Sequence, residues 1–128
     1  MKKKLFFLSL IGLMSVTYAY AKCDGGSEVT NSVGTTFCKS NEKLNWWSAA
    51  VWCKANGLHL ATMYEMCPSW DGNTGSGKCP ELQGTGNVYA RSATAHVSDR
   101  LFGVHLSDGS VHNTGFRNED SYDYAFCR

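Results

Sequence analysis

Leu44-Asn45-Trp46-Trp47-Ser48-Ala49-Ala50-Val51-Trp52-Cys53, with Asn56-Gly57-Leu58-His59-Leu60-Ala61-Thr62 soon after it, is the stretch from which the rest of the chain can be oriented. Trp46, Ala49, Ala50 and Cys53 recur at i, i+3, i+4 and i+7, which puts them on one face of a helix. Asn45 stands where an N-cap belongs. Asn56-Gly57 ends that helix, because glycine takes the left-handed position beyond the last turn without steric cost. Leu58 to Ala61 reads as a short extended link. Thr62-x-x-Glu65 is then a capping box, in which hydroxyl and carboxylate each satisfy an orphan backbone N–H of a second helix. Pro68 stops that helix early.

Upstream, residues 1–21 read as a secretory signal. Lys2, Lys3 and Lys4 make a basic start, Leu5 to Met14 an apolar run, and Ala19-Tyr20-Ala21 puts small residues at both key positions of a peptidase site. The apolar run is about half of what a bilayer-spanning helix needs. Lys22 stands where a lipid-attachment box before Cys23 would want a small residue. The mature chain is thus expected to be residues 22–128, one domain, secreted or held in the periplasm or at the cell surface, with no membrane insertion after signal removal. Without the three signal lysines, nine basic residues face eleven acidic ones and no basic cluster remains, which argues against nucleic acid as a partner. All six cysteines lie in the mature part, an even number in a small exported chain, and read as three disulfides. The closest two, Cys67 and Cys79, are twelve positions apart, unlike the tight pairs of zinc sites. Which cysteines pair stays open at this point.

Asp24 to Ser32 reads as a loop or short hairpin, and Thr35 to Cys38 as a short strand. Ser69 to Gly86, rich in Gly, Asn, Ser and Thr, is a long loop of the kind that carries a function or a staple. Val88 to Ala93, Leu101 to Leu106 and Tyr122 to Cys127 read as strands. Phe102, Val104 and Leu106 share one face of the second, with Leu101 and His105 on the other. Ser107-Asp108-Gly109-Ser110 is a turn and Val111 begins the return strand. The expected fold class is α+β: two short helices, a small antiparallel sheet and long disulfide-stapled loops.

This layout, with the residues quoted at the start, resembles C-type lectin-like domains over about residues 35–128. Gly57-Leu58-His59-Leu60-Ala61 is similar to the G-x-x-L-A segment that follows the family's first helix. Tyr122-x-Tyr124-Ala125-Phe126-Cys127 is similar to its last strand, whose Cys pairs back to that helix. The resemblance implies a Cys53–Cys127 bridge, and with it Cys67–Cys79 and Cys23–Cys38. The Glu-Pro-Asn, Gln-Pro-Asp and Trp-Asn-Asp triplets through which sugar-binding members hold Ca²⁺ are missing. Arg117-Asn118-Glu119-Asp120 and Asp71-x-Asn73-x-Gly75 are distant echoes of calcium loops. The implied activity is calcium-independent binding of a protein or carbohydrate ligand on a surface, with no metal and no cofactor.

Nothing in the remaining motifs points to catalysis. His59, His96, His105 and His112 lack the H-E-x-x-H spacing, and no G-x-S-x-G elbow or phosphate loop occurs. Gly115-Phe116-Arg117 resembles a stretch of formylglycine-forming oxidases. Such an enzyme, or a structural subunit of a surface appendage, is the alternative to a binding domain. Trp46, Trp47 and Trp52 crowd one helix and are expected in packing; Trp70, in the loop, is the tryptophan expected at an exposed binding surface. From Gly84 to Asn118, thirty-five residues, there is no Lys, Gln, Glu, Met or Trp. Those are the types that randomising an Asn codon with a pyrimidine third base cannot encode. In this the chain is similar to the variable proteins of diversity-generating retroelements in bacteria and phages. The expected ligand-binding face comprises Tyr89, Arg91, His96, Asp99, Arg100, His105, Ser110, His112 and Asn113.

Overall fold

The computed structural model describes residues 22–72, 77–97, 100–116 and 122–128. The expected signal, Asp99 and the Arg117–Asp120 stretch lie outside these residues; for 96–97 and 113–116 the backbone alone is described. The elements are β1 (Gly26–Thr30), β2 (Thr36–Leu44), α1 (Trp46–Ala55), α2 (Met63–Met66), a 3₁₀ turn at Pro80–Leu82, β3 (Tyr89–Val97), β4 (Arg100–His105), β5 (Val111–Phe116) and β6 (Asp123–Cys127). The strands form one sheet in the order β1-β2-β6-β3-β4-β5. Neighbours are antiparallel except β3 and β6, which run parallel. The domain is thus α+β, but its sheet is mixed where an antiparallel one was expected. The last strand slots into the middle of the sheet between β2 and β3, and the chain that joins the parallel pair β3 and β6 is the long excursion through β4 and β5.

Two Phe-Cys pairs show how the sheet sorts its side chains. Successive residues of a strand point to opposite faces, so Phe37 and Phe126 go one way and Cys38 and Cys127 the other. The two phenylalanines stack at 5.0 Å and join the larger core with Met63, Met66, Trp70, Leu82, Phe102, Val104 and Leu106. The two cysteines join a smaller core with Ala49, Cys53, Leu60 and Ala125, beneath α1. The disulfides are Cys23–Cys38, Cys53–Cys127 and Cys67–Cys79, the pairs that the resemblance implies. Such bonds persist in oxidising surroundings.

β2 runs to Leu44, well past the expected Cys38. Its second half is polar, and the strand bulges between Lys39 and Lys43, which breaks the alternation. Ser40 mends the ladder there: its hydroxyl accepts from Ala125 N–H (2.9 Å) and donates to the Glu42 carbonyl (2.7 Å).

α1 follows its caps. Asn45 Oδ1 accepts from Ser48 N–H (2.8 Å), and Gly57, at φ +72°, turns the chain out so that Leu58 N–H reaches the Cys53 carbonyl (2.9 Å). Only Ala49 and Cys53 of this helix are buried. The link after it is no free connector: His59 and Arg128 exchange both backbone hydrogen bonds, and Ala61 N–H donates to Phe126. α2 carries the full capping box. Burial pushes the Glu65 carboxyl up, but hydrogen bonds from the Thr62 backbone and from His59 outweigh it and hold it below its ordinary value. Thr62→Ala is expected to cost about 1 kcal/mol in urea denaturation; an unchanged midpoint would mean the box contributes nothing.

The Ser69–Gly86 loop is held at both ends. Beside the Cys67–Cys79 staple, Glu81 is buried with its Oε1 accepting from Ser69 N–H (3.1 Å). Cys79 N–H donates to the Gly109 carbonyl, and Lys78 bridges to Ser110. Trp70 is not at the surface. It is 6 % exposed and packs edge-on against Phe102 at 4.6 Å. The reversal comes from the staple and the 3₁₀ turn, which fold the loop back over the sheet and carry Trp70 into the core.

Candidate functional site

The register of β3, β4 and β5 builds one cluster. Tyr89 pairs with His105, while Arg91, Gly103 and His112 lie abreast across the three strands. Gly103 carries no side chain between its neighbours, so the rings on either side of β4 can approach. Tyr89 lies 4.6 Å from His105 and 5.4 Å from His112, centroid to centroid. Tyr89 and His112 are exposed, and His105 is half-buried.

The β4–β5 turn locks the two imidazoles. Gly109 sits at φ +72°, and a Cβ there would come 2.5 Å from the Cys79 carbonyl oxygen, so this position admits only glycine. Asp108 Oδ1 gathers the Ser110 N–H (2.9 Å), the Ser110 hydroxyl (2.6 Å) and His105 Nδ1 (3.3 Å). Ser107 Oγ lies 2.7 Å from the same Nδ1, and Ser110 Oγ lies 2.7 Å from His112 Nε2. The Ser110 hydroxyl and backbone N–H, and then His105, hold the Asp108 carboxyl well below the usual carboxylate range. An ionised carboxylate only accepts, so the Ser110 hydrogen is committed to Asp108 and its oxygen accepts from Nε2–H of His112. The order is carboxylate, hydroxyl, imidazole. A nucleophilic triad needs the imidazole in the middle.

The lowered Asp108 value has a testable sign. A group depressed on folding adds stability above its unfolded value, and that stability is lost as pH falls through the folded value. In an NMR titration the Asp108 carboxyl is expected to titrate below ordinary carboxylates, and Ser110→Ala to bring it back toward them. An ordinary midpoint in the unsubstituted protein would contradict the arrangement.

Beside the cluster lies a groove of about 250 Å³ lined by Lys43, Asn87, Val88, Tyr89, His105, Asp123 and Tyr124. Its two tyrosines come from β3 and β6, and the Lys39 ammonium lies 4.9 Å from the centre of the Tyr124 ring. Under the groove Arg91 is wholly buried and its guanidinium donates to Asp123 at 3.2 Å. Burial raises the Asp123 carboxyl, while Arg91 pulls it the other way.

Of the residues expected on the ligand face, Tyr89, His105, Ser110 and His112 come together here. Arg91 does not belong to an exposed face: it lies on the strand between β6 and β4, wholly buried, and its guanidinium pairs with Asp123. Arg100 is exposed at the far end of β4 from His105, roughly 17 Å away at the rise of a strand. His96 and Asn113 are placed by backbone only, on β3 and β5, and Asp99 lies outside the described residues. Sequence reading missed Lys43, Asn87, Asp108, Asp123 and Tyr124 as site residues. Asp108 stood in a recognised turn, and its two-residue spacing from Ser110 and three-residue spacing from His105 was the available signal. Nothing local marked the others, which the sheet order alone brings in.

Among the described residues, one group of metal-ligating types gathers within 4.8 Å, Cys67, Cys79 and Glu81; its two sulfurs are bonded to each other and offer no thiolate. No described helix is long and apolar enough to cross a membrane. Comparisons with family models, with curated proteins and with solved structures gave no match.

Proposed function

We propose that this chain is an exported, C-type lectin-like binding domain that recognises a protein or carbohydrate ligand, without calcium, through the surface around Tyr89, His105, Ser110 and His112. The observation that carries the reading is the interlocked Tyr89–His105–His112 cluster beside the Tyr89–Tyr124 groove. Aromatic faces with polar tips offer much contact area for little conformational entropy. The Asp108 hydrogen bonds and the staple behind Gly109 hold them in place before any ligand arrives, which lowers the cost of binding.

The retroelement-like composition fits the same surface: side chains there can change while the backbone stays pinned. Resequencing the gene across its source population, with counts of substitutions by position, tests this. Replacements concentrated at Tyr89, Ser110 and His112, with Arg91 and Gly109 unchanged, are the expected pattern. A flat profile overturns the diversification. The binding role is tested separately, by screening glycan arrays and surface-protein libraries. Tyr89→Ala with His112→Ala is expected to weaken any captured ligand at least tenfold, on the order of the loss of one anchoring side chain. Unchanged capture would move the site elsewhere.

A further inference from the structure

Two of the three disulfides lie side by side. Cys38 and Cys127 face each other across the antiparallel β2–β6 pair, and each is bonded away from the other, to Cys23 and to Cys53. Residues directly opposite in such a pair hold their Cα atoms roughly 4.5–5.5 Å apart, inside the range of about 4.4–6.8 Å that a disulfide takes. All four cysteines belong to the smaller core, so a Cys38–Cys127 bond is within reach of the paired strands. A pocket of about 140 Å³ leads there, lined by Cys23, Cys38 and Cys127 beside Lys22, Arg128 and Glu28. The sulfurs differ in access. Cys23 is half-buried, whereas Cys38 is 4 % exposed and Cys53 and Cys127 are wholly buried. β1 seals Cys38: a Cβ at Gly26 would meet its sulfur at 3.1 Å and the Trp52 ring at 2.9 Å. An incoming thiolate therefore meets Cys23 first.

We infer that Cys23 is a thiol-exchange site for a dithiol reductant, and that its reaction is passed on to the Cys53–Cys127 bond. The reductant's thiolate attacks Cys23 Sγ, the Cys23–Cys38 bond breaks, and Cys38 leaves as a thiolate. The Lys22 and Arg128 side chains, which outnumber Glu28 in the pocket, favour that form. The reductant's second thiol then displaces Cys23 as a thiol and closes the reductant's own disulfide, so two electrons have entered the chain. Cys38 attacks Cys127 Sγ, the Cys38–Cys127 bond forms, and Cys53 leaves and takes up a proton; this step moves no net electrons. The new loop is only slightly longer than the old one, so the entropy of the unfolded chain does not oppose the transfer. β2 and β6 stay joined, while α1 and the segment around Cys23 lose their covalent anchors.

One equivalent of dithiothreitol added to the folded, oxidised chain, followed by rapid alkylation with N-ethylmaleimide and peptide mapping, tests it. The expected main product carries labels on Cys23 and Cys53, with Cys38 linked to Cys127 and Cys67–Cys79 intact. Labels on Cys23 and Cys38 with Cys53–Cys127 intact, or on any other pair, overturn the proposal. Cys23→Ser gives a second reading that needs no reductant. Its Cys38 thiol is expected to displace Cys53, so that the label falls on Cys53. A label that stays on Cys38 overturns the transfer.

Discussion

Replacing Cys53 and Cys127 together by alanine is expected to remove about 4.5 kcal/mol of stability, by the loss of loop-closure entropy from the unfolded chain. The bridge spans a sequence separation of 74, against 12 for Cys67–Cys79 and 15 for Cys23–Cys38. The same relation gives the two shorter bridges about 3 kcal/mol each. Both sulfurs of the long bridge are fully buried in the smaller core, and alanine keeps that site apolar. Domains of this size hold roughly 5–15 kcal/mol in total, so the loss takes about a third of that stability or more. Urea denaturation beside the Cys67→Ala, Cys79→Ala variant checks the ranking. A larger loss from the short bridge would show that the Ser69–Gly86 loop, and not the fastening of α1 to β6, limits stability.

Asp123→Asn, or Arg91→Met, is expected to destabilise the domain by about 3 kcal/mol, since either breaks a largely desolvated ion pair. The Arg91 side chain is fully buried, and that of Asp123 is 19 % exposed. Arg91 is the more deeply buried charge, so Asp123→Asn should lose more than Arg91→Met, whose thioether chain fills the space without a charge. The reverse order in thermal denaturation would mean that the buried cation is satisfied by other groups. The result also bears on function: a position that unfolds the domain when altered is unsuited to a variable surface.

Phe37-Cys38, Asn45, Asn56-Gly57 and Thr62-x-x-Glu65 could be read directly, because caps and alternation are local physics that later folding did not override. α1, α2, the β4–β5 turn and most strands follow from such signals. What local pattern could not supply was how completely the fold covers each residue. The one face read for α1 turns Ala49 and Cys53 inward at the Cys53–Cys127 bond, with Trp46 partly buried against them. Trp47, expected in packing, is left out. Trp70 reads as loop surface and becomes core because a staple and a 3₁₀ turn fold its loop over Phe102.

The candidate site divides the same way. Tyr89, His105, Ser110 and His112 were legible as alternating positions of a hairpin and its neighbour, and adjacent antiparallel strands bring such positions together. Arg91 obeys the same alternation and yet is buried, because β6 enters beside β3 and brings Asp123 with it. No local pattern specifies that insertion. By itself the sequence determined the helices, their caps, the turn and an even set of cysteines in a chain too small to hold so much loop without staples. Only the tertiary structure decided that the last strand lies in the middle of the sheet. The reason is physical: strand order depends on contacts between segments far apart in the chain, whose closure is rewarded only once both are in place.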